Sequence, residues 1–200
     1  GRVPCTGNAL PSSGLIAPLS QVGPLARYVD DLDFLMSIIQ GPDLMDPHTV
    51  DATVRPSDDI DVTTLRIGFH TDNGIATPAL PIQDAILNAI SLLKAEGFKV
   101  EEATPPGIEM ASLIYSSLFG ADGGETLQML LDDCRTQEYS PQIADLVPKP
   151  EQQNYQDAAM VINLWDNYRS SMLGYFEHHD VLICPVIAPT VILNGETQIK

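Results

Sequence analysis

Glu177-His178-His179-Asp180 sets two imidazoles between two carboxylates, residue types that bind metals or move protons. Adjacent histidines do not face one another on a helix as an i, i+4 pair does, so no metal is expected there. Both rings read as exposed groups favoured by the dipole at a helix C-terminus. Asp43, Asp46, Asp51, Asp58, Asp59 and Asp61 form an acidic segment that could suggest calcium. It lacks the ligand order of an EF-hand, and a solvated surface loop is expected instead. Ser12-Ser13-Gly14 offers hydroxyls, but a serine needs a base before it attacks, and Pro11-Ser12-Ser13-Gly14 is ordinary turn chemistry. Gly68 and Gly74 fit neither a dinucleotide fingerprint nor a phosphate loop, so no cofactor is expected. His48 and His70 stand alone and read as surface or loop residues. Trp165 with Tyr168 reads as helix packing.

The elements around these residues follow from apolar spacing. Residues 1–24 carry four prolines and four glycines and predict an irregular segment. Leu25, Val29, Leu32, Leu35 and Ile39 form one helical stripe, predicted to start near Pro24 and to stop at Gly41-Pro42. Leu65 to Phe69 predicts a buried strand. Ile82, Ile86, Ile90 and Leu93 predict a helix ending at Gly97, and Phe98 to Glu102 a second strand. Strand, helix and strand in that order imply a parallel pair joined by a crossover. Two or more helices are predicted between Ile108 and Leu131. A long helix follows, with Val161, Leu164, Tyr168, Met172 and Phe176 inward. Asp180 to Cys184 is the last predicted strand, with Cys184 buried. The fold class is α/β, a mostly parallel or mixed sheet flanked by helices.

Ser20-Gln21-Val22-Gly23-Pro24-Leu25-Ala26-Arg27-Tyr28-Val29-Asp30-Asp31-Leu32, with Gly1-Arg2-Val3-Pro4 before it and Gly41-Pro42-Asp43 after it, resembles the amidase signature family of serine hydrolases. Leu65 to Thr104 resembles that family's crossover unit, and Asp180 to Pro185 its strand ending in proline. Leu118 to Gly124 is similar to a segment of fatty-acid-amide-hydrolase-like and acetamidase-like members. The resemblance implies part of a single amidase domain over residues 1–200, with its N-terminal catalytic portion and C-terminal end missing. It implies hydrolysis of an amide C–N bond by a Lys-Ser-Ser triad, without a cofactor. The family's Gly-Gly-Ser-Ser-Gly-Gly segment precedes its Gly-Arg-Val-Pro, so no residue here matches the triad, and the chain alone is expected to be inactive. Leu118 and Phe119 match positions lining an acyl channel, and are the substrate-binding candidates. Asp122, Gly123 and Gly124 are expected to break a helix.

A net charge of −17 and no cluster of Lys and Arg argue against nucleic acid as a partner and against an anionic membrane surface. No apolar run is long enough to span a membrane. Cys5, Cys134 and Cys184 are odd in number and widely spaced, which favours free thiols and a cytoplasmic setting. A small-molecule amide is the expected partner of the complete enzyme. Self-association through exposed sheet edges is expected of the piece. An alternative is a non-catalytic interaction module using an apolar helix face around Leu113, Leu118 and Phe119. A third is a relative of the amidotransferase component that frees ammonia from glutamine.

Overall fold

In a computed structural model of the chain, residues 1–8, 14–15, 17–52, 57–121, 123–138, 140 and 155–191 are described. Ser12 and Ser13, Asp122, and the predicted break with Pro141, Pro148 and Pro150 lie outside them. The chain divides into two units.

The unit built from Asp61–Ser116 and Ala159–Lys200 holds the sheet. Its strands are β1 (Arg66–Phe69), β2 (Lys99–Glu102) and β3 (Val181–Ile183), in the order β2-β1-β3. Both pairings are parallel, so the crossover expectation holds. Helix α2 (Leu80–Ala95) joins β1 to β2. Proline sits in its first turn, where a missing N–H costs nothing, and its buried face centres on Ile90.

Side chains alternate across β1. Lys94 of α2 lies over the Phe69 ring, 5.8 Å from its centroid. On the other face, Gly68 meets Tyr175 and His179 from the end of the long helix α5 (Tyr155–His178). Helices therefore flank both faces of a small parallel sheet. The α5 stripe runs through Val161, Leu164, Tyr168 and Met172, all half-buried, but then turns to Tyr175, which is 6% exposed, not to Phe176 at 43%. A three-residue step brings the Tyr175 hydroxyl within 3.3 Å of the Ala103 carbonyl, to which it donates. A phenylalanine could not satisfy that acceptor. Cys184, expected to be buried, is half-buried.

Arg66 and Asp180 fix the register of β1 on β3. Asp180 Oδ2 accepts from the Arg66 backbone N–H (2.8 Å) and from Nε (3.0 Å), and Oδ1 accepts from Nη2 (2.9 Å). The Asp180 N–H returns a bond to the Arg66 carbonyl at 2.8 Å. The guanidinium beside it, followed by the Arg66 N–H, holds the Asp180 carboxyl far below the usual carboxylate range. A carboxyl depressed in the folded state adds stability above its unfolded pKa, and that contribution is lost as pH falls through the folded value. Asp180→Asn should therefore lower the urea midpoint at neutral pH and flatten the acid dependence below about pH 4. Parallel acid profiles for parent and variant would show the pair is not linked to folding.

The other unit comprises Gly1–Ile60 and Ser117–Ala158. Helix α1 (Val29–Ile39) begins five residues after Pro24, a correction to the expected start. Tyr28 is extended, and Asp30 and Asp31 supply the negative charge that favours a first turn. None of its residues is buried. The acidic segment is also not merely solvated. Asp46 is 7% exposed and accepts from the backbone N–H groups of Cys5 (2.8 Å) and His48 (2.8 Å). Asp43 Oδ1 accepts from the N–H groups of Met45 (2.9 Å) and Asp46 (3.0 Å). These carboxylates satisfy turn N–H groups that would otherwise go unpaired, and tie residues 1–5 to the loop.

Helix α3 (Ala111–Gly120) and helix α4 (Glu125–Asp133) follow the expected order. Gly124, at φ +81° before α4, takes the left-handed conformation that a side chain would resist, so the expected break is present.

Candidate functional site

Of the two substrate-binding candidates, Leu118 is 2% exposed on α3. Phe119 follows it on the same helix, and its side chain lies outside the described set. Ile114, four residues before Leu118 and on the same face, is also buried. Leu113 is exposed, and five helical residues place it about 140° around the axis from Leu118. Of the apolar face expected around Leu113, Leu118 and Phe119, Leu113 and Leu118 therefore do not point the same way. Leu118 belongs with Ile114.

Two histidines are placed unlike their sequence reading. His179, expected to be exposed, is buried just past the C-terminal end of α5. Its Nδ1 lies 3.2 Å from the Tyr175 carbonyl and its Nε2 2.9 Å from Glu101 Oε1. Both partners are acceptors, so a neutral ring donates to one at a time. The ring stacks on Tyr175 at 4.2 Å between centroids. Burial raises the Tyr175 phenol above its ordinary range, with Glu101 adding to the effect. Tyr175, His179 and Glu101 thus hold α5 against the Gly68 face of the sheet. His178 stays exposed, as expected. Among the described residues no group of His, Cys, Asp and Glu is placed to hold a metal.

His70 is the larger correction. It follows the last residue of β1 and is 3% exposed, not a surface residue. Its backbone N–H donates to the Ile183 carbonyl at 3.2 Å, which continues the strand past Phe69. Neither ring nitrogen has a hydrogen-bond partner among the described residues. The ring lines a cleft of about 120 Å³. Asn73, Ile75 and Pro78 line it from the turn before α2, and Pro185, Val186 and Ile187 from the segment after β3. The Ala79 N–H bonds to the Ala188 carbonyl at 2.8 Å and ties the two walls together. Burial drives the His70 pKa below its ordinary value, while Asp72 opposes this weakly. The cleft sits beyond the carboxyl ends of adjacent parallel strands, where open α/β sheets commonly bind ligands. That position was the sequence signal available for His70: it directly continues a predicted buried strand into Asp72-Asn73-Gly74.

Trp165 and Tyr168 stack at 6.4 Å between centroids, in keeping with helix packing. No described helix is long and apolar enough to cross a membrane.

A family model described as Amidase matches residues 1–199. A component of the glutamyl-tRNA(Gln) amidotransferase of Thermus thermophilus is 30% identical over 119 residues, covering 57% of this chain and 25% of that protein. The corresponding protein from Listeria monocytogenes is 25% identical over 217 residues, covering 94% of this chain and 44% of that protein. The chain thus spans less than half the length of these relatives. Among solved structures, a 6-aminohexanoate cyclic dimer hydrolase superposes with a TM-score of 0.73 at 19% identity, covering 90% of this chain and 39% of that one. A bacterial aryl acylamidase superposes with a TM-score of 0.68 at 20% identity, covering 94% and 40%. These superpositions speak to the fold.

Proposed function

The chain belongs to the amidase family, and from that premise we propose that it is one portion of a single-domain hydrolase that cleaves an amide C–N bond. The reacting groups are a Lys-Ser-Ser set carried by polypeptide outside residues 1–200. One serine hydroxyl attacks the carbonyl carbon, and its proton passes through the second serine to a neutral lysine. The C–N bond then breaks as the leaving amine takes that proton, and water releases the acyl group. A lysine can act this way only where burial or neighbours keep it neutral. Backbone N–H groups hold the oxyanion.

The observation that carries this reading is the family match across nearly the whole chain, over a parallel sheet flanked by helices. Among the described residues, Lys94 lies over Phe69 and Lys99 sits on β2, and neither is hydrogen-bonded to a serine. Leu118 and Phe119 form part of the acyl-channel wall in the complete enzyme. Leu118, already buried, shapes that wall from behind. The outer edges of β2 and β3 have no strand partner among the described residues, which supports self-association of the isolated chain.

The test compares residues 1–200 with the gene product read from its own start codon, on aryl and fatty amides. Turnover is expected only from the longer polypeptide, and a serine-directed inhibitor should abolish it. Inhibitor-sensitive turnover by residues 1–200 alone would overturn the proposal. The identity to amidotransferase components favours a second reading, release of ammonia from glutamine. Glutaminase activity in place of amide turnover by the longer product would select it.

A further inference from the structure

His70 is a base buried where the fold gives a charge nothing to bond to. Its ring nitrogens each expose less than 1 Å², and neither has a hydrogen-bond partner among the described residues. Burial without a partner disfavours the ionised form, so a protonated ring must reach water. We propose that His70 is an acid-operated latch, and that a proton on its ring parts the turn at 71–79 from the segment at 185–188. This inference does not depend on the hydrolase reading.

The surroundings of the ring place the movement at those two walls. The cleft of about 120 Å³ beside the ring has room for several waters, so a small parting of its walls would hydrate the nitrogens. The walls are thinly packed. Val186 is fully exposed, and Ile187 and Ile75 are exposed, and a segment that buries little apolar surface opens locally at low cost. The bond from the Ala79 N–H to the Ala188 carbonyl joins the walls. The turn keeps its own bonds as it moves: Asp72 Oδ1 accepts the Gly74 N–H at 2.8 Å, and Asn73 Oδ1 the Ile75 N–H at 3.0 Å.

The Asp72 carboxylate favours a proton on the ring, but less than burial opposes it. Titratable groups on the other neighbouring elements are not partners of the ring. Glu101 of β2 is held by His179, Tyr175 of α5 donates to Ala103, Lys94 of α2 lies over Phe69, and Cys184 after β3 is half-buried. The closed form therefore resists a proton that the open, hydrated form takes up near the ordinary histidine value of about 6.5. Falling pH favours the open form from that value down to the lower pKa of the closed form, where the effect levels off.

The test is native-state hydrogen exchange of the full chain between about pH 7.5 and about pH 4.5. The Ala79 amide reports the tie between the walls. The Ala103 amide, bonded to the Phe69 carbonyl at 2.9 Å, reports the sheet. Protection at Ala79 is expected to fall by up to about tenfold per pH unit below about 6.5, the limit for one proton, while protection at Ala103 stays level. Asp72 remains ionised through this range, because the Gly74 N–H holds its carboxyl low. His70→Phe should abolish the fall at Ala79. His70→Gln, equally unable to titrate there, takes its place if the phenylalanine variant does not fold. A ¹⁵N-histidine titration of the parent gives a second reading: the His70 ring should take up its proton over the pH span in which Ala79 loses protection. Level protection at Ala79 in the parent would overturn the proposal. So would the same fall in a His70 variant, or proton uptake by His70 with Ala79 still protected. An equal fall at Ala103 would also overturn it, because the sheet would then be unfolding as a whole.

Discussion

Replacing Gly68 with alanine should destabilise the chain by about 1–3 kcal/mol, and valine should cost more. Gly68 lies in the central strand, with β2 on one side and β3 on the other. A methyl group on its α-carbon would collide with the Tyr175 hydroxyl and would sit 2.9 Å from His179 Cδ2. Neither ring can withdraw freely. Tyr175 donates to Ala103, His179 is held at Glu101, and the two rings stack on each other. The strand cannot move away without breaking its pairing on both sides. Urea unfolding should show a lower midpoint with an unchanged slope. Tyr175→Phe removes the atom that meets the new methyl first, so the double variant should lose less stability than the sum of the singles. A Gly68→Ala change within about 0.5 kcal/mol of the parent, with no coupling to Tyr175→Phe, would show that α5 does not press on the sheet as described.

The same contacts explain what could and could not be read from the sequence. The β1-α2-β2 unit is legible because its signals are local: an apolar strand, a stripe at Ile82, Ile86, Ile90 and Leu93, and a glycine stop. The burial of His179 and Asp46 is not legible, because distant segments set it. His179 lies 78 residues from Glu101, and Asp46 lies 41 from Cys5. A histidine at a helix end or an acidic run carries no local mark of that. Phe176 and Tyr175 both fit a helical period within one step. A single acceptor, the Ala103 carbonyl, decides between them. The start of α1 falls later than expected because proline is compatible with a first turn but does not compel one. Leu118 and Phe119 are candidates by family resemblance alone, while the His70 cleft needs two segments that lie far apart in the chain to be brought together.

Leu118→Ala should cost about 2–5 kcal/mol, the range for truncating a fully buried leucine. Its 2% exposure and its place beside Ile114 on one face of α3 leave little room for the site to relax. That loss alone would not separate plain packing from a role in shaping an acyl channel. Leu118→Met does, because a volume-conserving change costs less than about 1.5 kcal/mol and keeps the fold intact. If Leu118 backs the channel wall, a longer and more pliant side chain there should redraw the space offered to the acyl group. In the product read from its own start codon, kcat/KM for a long-chain amide relative to acetamide should shift about tenfold, the scale set by one methylene in an apolar pocket. Activity on acetamide, which does not reach the wall, should change little. An unchanged ratio in a folded Leu118→Met enzyme would confine Leu118 to the core. A fall in activity on both amides alike would mean that α3 supports the reacting groups themselves, not the chamber for the acyl chain.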